Sequence, residues 1–228
     1  MPGNNRTKNQ HYVPQFVLRR FSNADGKLWV YDKWTRKRFL SSPRNVAAEN
    51  AFYDCEFNGE LISLESAMCD IEVSAVGTLN SIVENRSLAS LSAEGQQSVA
   101  RFLAIQMMRT RAAREEFQQV QDSLREGLRA RKVDEGLLPP GFFADEEGLK
   151  QGSLSNLSIA AELMPHMLDK AWLLDAAPDG DAFIISDNPL VRRNATPASL
   201  YWGNNGLGCP GIQIYMPLSP TLTLCLLC

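Results

Sequence analysis

Histidine is almost missing from this sequence, with two in 228 residues, His11 and His166. Neither a cysteine nor a carboxylate stands beside His11 at a metal-ligand spacing, so the usual local signature of a histidine metal site is absent. Also missing is any apolar run approaching the roughly 20 residues that span a bilayer. The start, MPGNNRTKNQ, lacks the apolar stretch of a signal peptide. These absences set the expectation of a cytoplasmic protein with no membrane partner. Charge of one sign is not in excess, because a net charge of −3 creates no global field that would gather nucleic acid or a basic partner. A local basic patch remains open. The five cysteines are odd in number and scattered (Cys55, Cys69, Cys209, Cys225, Cys228), which excludes a disulfide framework and reads as small apolar residues in a reducing compartment. Cys225 and Cys228 have a Cys-x-x-Cys spacing, yet no second Cys or His pair completes a zinc site. No internal repeat, phosphate-loop motif or nuclease motif is present.

What is there is the pattern of an α+β domain. Residues 1–8 read as a disordered start, and residues 9–228 as a single α+β domain. The apolar run LTLCLLC reaches the last residue without a polar tail, so the domain is expected to lack its C-terminal portion. Pro14 suits the first turn of a short helix over VPQFVLRRF. KLWVYDK and KRFLSS alternate around a polar turn near Trp34 to Lys37, the pattern of a β-hairpin. Apolar residues at steps of three and four (Leu64, Met68, Ile71, Ala75, Leu79, Ile82) predict a helix from Leu61 to about Glu84. A second, longer helix is predicted from the Ser92 cap to about Arg131. The Pro- and Gly-bearing stretch VDEGLLPPGFFADEEGLKQGS reads as a long connection. A helix over Asn156 to Leu168 follows, then strands at KAWLLDA, DAFIISD, GIQIYMPL and LTLCLLC. Segregated helices and strands favour α+β over a doubly wound sheet: a short helix and hairpin, an antiparallel pair of long helices, then mainly antiparallel strands.

Polar residues on apolar stripes are the informative exceptions. Glu65 and Glu72 lie seven apart on one helix face with Met68 between them, and Gln106 and Arg109 continue the row of Val99, Phe102 and Leu103. A turn near Arg86 to Leu91 would put Arg109 opposite Met68 and within a turn of both glutamates. Two readings follow: an ion-pair network inside the helix pair, or an arginine gripping an anionic substrate group while a glutamate acts as base or metal ligand. His11 precedes the short helix, where an imidazole serves as acid, base or phosphate donor, or else bonds a carbonyl and pins the segment. Ser186-Asp187-Asn188-Pro189 follows AFII, and is either a strand-exit site for a carboxylate or plain turn chemistry.

Together these blocks resemble the family catalogued as domain of unknown function 4238, a bacterial group. The likeness rests on His11-Tyr12-Val13-Pro14-Gln15 with Leu18 and Phe21, on Gln106 and Arg109 in AIQMMRTR, on Ser186-Asp187-Asn188-Pro189, and on Met216-Pro217-Leu218-Ser219-Pro220. Arg111 stands where the resemblance implies an Arg-Thr-Pro form, and members of the family continue past the last block. The resemblance implies no established activity.

Two functions are therefore carried forward. The first is an enzyme acting on a phosphate-containing substrate, a nuclease or nucleotide-processing activity. In it His11, Asp187 and Glu72 are catalytic, and Gln15, Gln106, Arg109 and Asn188 bind substrate. The cofactor is left open, a divalent metal being compatible. The second is a non-catalytic protein- or nucleic-acid-binding module whose polar residues form a structural network. Its contacts would come from Trp29, Tyr31, Trp34 and Arg36 to Arg38 on the hairpin.

Overall fold

A computed structural model describes residues 9–57, 59–139, 141–196 and 203–228. The start expected to be disordered, residues 1–8, lies outside the described residues. The chain enters as β1 (Asn9–His11) and turns at Pro14 into the short α1 (Gln15–Arg19), whose first N–H groups bond the Pro14 carbonyl. β2 (Leu28–Asp32) and β3 (Lys37–Ser41) form the expected hairpin in a register that pairs Asp32 with Lys37. Asp32 builds its turn, because its carboxylate accepts from the Trp34 and Thr35 backbone N–H groups and from the Thr35 hydroxyl. β4 (Ala48–Asn50) returns to pair antiparallel with β1, and β5 (Asp54–Phe57) pairs with β6 (Glu60–Ser63). This second ribbon corrects one expectation. Leu61 lies in a strand, so the helix expected from it starts at Glu65.

α2 (Glu65–Asn85) ends on Arg86, whose left-handed backbone (φ 48) turns the chain into α3 (Ala93–Met108). Ser92 caps α3 by accepting from the Gly95 N–H. The single long helix expected to reach Arg131 is two helices. Arg109 leaves the helical region and Thr110 is extended, accepting from the Ala113 N–H as the N-cap of α4 (Arg111–Ala130). Arg111 is thus the first residue of a helix, the position that best accepts proline, which accounts for the proline that the resemblance implies there. The expected long connection contains α5 (Glu146–Ser155), and the helix expected over Asn156 to Leu168 begins as a 3-10 turn before α6 (Ala160–Leu168).

The C-terminal sheet is antiparallel in the order β7-β10-β9-β8, from β7 (Ala171–Ala176), β8 (Val191–Asn194), β9 (Ile212–Ser219) and β10 (Leu222–Leu227). DAFIISD is not one of its strands. Phe183 donates a single bond to the Pro220 carbonyl and Ile184 is exposed, so the run is extended but unpaired in any ladder. Alternation on β9 buries Ile212, Ile214, Met216 and Leu218, while the inner strand β10 is buried on both faces.

The core is centred on α3. Val99, Ala100, Phe102, Leu103, Ala104, Ile105 and Gln106 are all buried, more than one stripe can supply, because α2 and α6 both pack against this helix. No described helix is long and apolar enough to cross a membrane. Phe102 is fully enclosed and meets the ring of Phe16 at 5.7 Å. Phe102→Ala is expected to cost about 3–5 kcal/mol in urea unfolding, whereas Val73→Ala on the exposed side of α2 stays within about 0.5 kcal/mol. Equal losses at the two positions would overturn the placement of the core on α3.

Candidate functional site

The His11–Val13 backbone is held at almost every polar group. Tyr12 and Val13 donate to the Ala47 carbonyl, the His11 carbonyl accepts from the Tyr53 hydroxyl at 2.9 Å, and the Tyr12 carbonyl accepts from Gln106 Nε2 at 2.8 Å. Gln10 is equally fixed. Its Oε1 accepts from the Tyr53 N–H, and its Nε2 donates to Asp54 Oδ1 at 2.9 Å, an oxygen that the Ser63 hydroxyl also meets. Sequence reasoning missed Gln10, Tyr53, Asp54 and Ser63. Their one signal was a Tyr-Asp pair in an otherwise unremarkable turn.

Arg109 completes this network from the end of α3. Its side chain is 0% exposed, its Nε donates to Gln106 Oε1 at 2.9 Å, and its Nη1 lies 2.8 Å from Glu72 Oε1, as the antiparallel helix pair requires. Its guanidinium carbon stands 5.6 Å from the Phe102 ring centre, and its Nη2 is buried without a hydrogen-bond partner among the described residues. Burial pushes the Tyr53 hydroxyl up to about 12, partly opposed by the charge of Arg109. Glu65 is half-buried, and its carboxyl is raised first by burial and next by the charge of Glu72.

The His11 ring is held separately: its Nε2 lies 3.2 Å from the Pro43 carbonyl, and since a carbonyl only accepts, this nitrogen carries the proton. Burial lowers the imidazole below its ordinary value, and the carbonyls of Pro43 and Arg44 oppose that effect in part. The charges acting on it are those of Glu72 and Arg19. Tyr12, next in the bend after β1, has its phenol raised to about 12, chiefly by burial and next by the charge of Asp187.

The nominated residues therefore divide. Glu72, Gln106 and Arg109 share one hydrogen-bonded network, the His11 ring bonds Pro43, and the exposed Asp187 bears on Tyr12 through its charge. Asn188 belongs to a turn in which its N–H donates to Ser186 Oγ and the Ser186 hydroxyl donates back to its carbonyl. Gln15 accepts from Arg19 one turn along α1. A cavity of about 450 Å³ lies between α4 and α5, lined by Arg114, Glu115, Gln118, Glu147, Leu149 and Lys150, none of them nominated by the sequence. Among the described residues no group of three or more His, Cys, Asp or Glu is placed to hold a metal ion.

The family model described as Protein of unknown function (DUF4238) matches residues 9–228. The chain belongs to that family. The matched span takes in both the His11–Gln15 segment and the Ser186–Pro189 turn. No curated protein and no solved structure matches the chain.

Breaking the Arg109–Glu72 pair from one side strands a charge. Glu72→Ala is expected to destabilise by about 3 kcal/mol, and Arg109→Met combined with Glu72→Met by less than the sum of the two single changes. Additive losses in chemical unfolding would show that the pair is not coupled. A second expectation concerns pH. Because burial lowers His11 in the fold, the unfolded chain takes up its proton first as pH falls below 6.5. The contribution of His11 is thus complete above that value and declines below it, until the folded ring protonates too. Glu65 works in the opposite direction: its raised carboxyl favours the fold below 4.5, and this is lost as pH rises through the folded value. Urea midpoints of the parent should fall on acidification below 6.5 more steeply than those of His11→Gln. Parallel curves would rule out the buried imidazole as the titrating group.

Proposed function

We propose that this chain is a non-catalytic nucleic-acid-binding module, in which the polar residues of the family segment fix the fold and the β2–β3 hairpin makes the contact. The observation that carries this reading is the enclosure of Arg109. A phosphate clamp has to offer N–H groups to a ligand, whereas this guanidinium has no exposed side-chain surface and spends Nε and Nη1 on Gln106 and Glu72. Beside it, Gln106 is fully buried and occupied by the Tyr12 carbonyl, and Nε2 of His11 is held by the Pro43 carbonyl. Away from the cavity between α4 and α5, the surface offers an exposed hairpin bearing aromatic and basic residues.

The test is to incubate the full chain with single-stranded and duplex oligonucleotides and with nucleotides, with and without magnesium, following binding and turnover together. Binding without turnover is expected, with an affinity that falls as salt rises. His11→Ala and Glu72→Gln should lower the melting temperature and affect binding only through the fraction folded. Turnover that disappears in Asp187→Ala at unchanged melting temperature would establish the phosphate-enzyme reading in place of this one.

A further inference from the structure

The outer face of the β2–β3 hairpin carries Trp29 and Tyr31 on one strand, with Leu40 and Arg38 directly across from them on the other. Trp29 is 72% exposed and Tyr31 55%, while Trp34 at the turn is 94% exposed. The hairpin's other face is anchored, with Leu28 buried and Val30 packed on the core, so the aromatic face is presented outward from a fixed base. The turn is fixed as well, by the three bonds to Asp32. Arg38 lies over the Tyr31 ring, 5.9 Å from its centre.

Charge complementarity selects the partner. Residues 25–41 hold five cations (Lys27, Lys33, Arg36, Lys37, Arg38) against two acids (Asp25, Asp32), in a chain whose net charge is −3. None of the five forms an ion pair among the described residues, although Arg109, Arg111, Arg114, Arg125 and Arg129 all do. A basic surface alone would suit duplex or single strand equally. The aromatic rings break that tie. Alternate residues of a strand stand about 7 Å apart, while bases in a duplex are stacked at about 3.4 Å with their faces covered. Rings at the wider spacing meet bases only where these are unpaired and drawn apart, as in an extended single strand.

From these observations we infer that the hairpin face is a sequence-tolerant site for single-stranded nucleic acid. Unpaired bases stack on Trp29, Tyr31 and Trp34, and Lys33, Arg36 and Arg38 neutralise the adjoining phosphates. This rests on the reading of the chain as a nucleic-acid-binding module and names the form of nucleic acid and the way it is held.

The experiment titrates the full chain with oligothymidylate, oligouridylate and a duplex of matched length at low salt, reading anisotropy and tryptophan emission. Both single strands should bind more tightly than the duplex and quench emission. Trp29→Ala and Trp34→Ala should each weaken binding by about five-fold or more, and Tyr31→Phe by less than about two-fold, all with an unchanged melting temperature because these side chains are exposed. Equal duplex affinity, together with losses in Arg36→Ala and Arg38→Ala but none in the tryptophan variants, would overturn base stacking and leave the nucleic-acid reading intact. Absence of binding to every oligonucleotide would overturn both, as would a protein partner held through the same tryptophans in its place.

Discussion

A guanidinium withdrawn from water has to be met by acceptors in its own plane, and at Arg109 the acceptors come from two helices and one side chain with a second duty. Gln106 accepts from Arg109 with its oxygen and donates to the Tyr12 carbonyl with its nitrogen, so it passes the position of α3 on to the N-terminal segment. From there Tyr12 and Val13 bond Ala47, and β1 pairs with β4. Gln10 extends the chain of bonds through Tyr53 and Asp54 to Ser63, which ends β6 just before α2. The network thus closes on the helix that supplies Glu72. Removing the charge pair leaves each of these bonds with one fewer constraint on where its partner stands, which explains why a short N-terminal segment can lie inside a core built mostly by helices far along the chain.

The sequence made the apolar half of this arrangement legible. The stripe of α2 appears residue for residue in the core, from Met68 and Ile71 through Ala75 and Leu79 to Ile82. The hairpin and the strands expected at GIQIYMPL and LTLCLLC are also present. The juxtaposition of Arg109 and Glu72 was readable because charges on an apolar stripe have to find one another. What misled was continuity. Helical residues on both sides of Arg109 and Thr110 conceal a break that depends on Thr110 turning its hydroxyl back to cap α4, a choice that tertiary packing makes. DAFIISD has the composition of a strand, yet it meets the sheet only through Phe183 and Pro220. The bonds of Gln10 to Tyr53 and Asp54 link residues more than forty positions apart, and local pattern carries no information about such pairs.

Asp187 bears on the N-terminal segment through Tyr12, which lies in the bend that follows β1. The Ser186–Pro189 turn acts on Tyr12, whose ring packs at 5.2 Å on Phe52, and Phe52 in turn lies under the Arg114 guanidinium at 4.0 Å. His11 bonds the Pro43 carbonyl and feels the charge of Glu72. The segment is thus held at its backbone by Ala47 and Gln106 and at Tyr12 by ring packing.

Charge pairs tie elements together elsewhere in the fold. The buried Arg109 cation has its carboxylate, and nearer the surface Glu49 lies 4.0 Å from Arg111 and 3.5 Å from Arg114. Among the described residues the hairpin cations form no ion pair, and they stand beside rings that the core does not cover. Exposed aromatic surface costs free energy in water, and unpaired like charges on one ribbon repel. The proposed single-stranded partner, both planar and anionic, would relieve the two costs together.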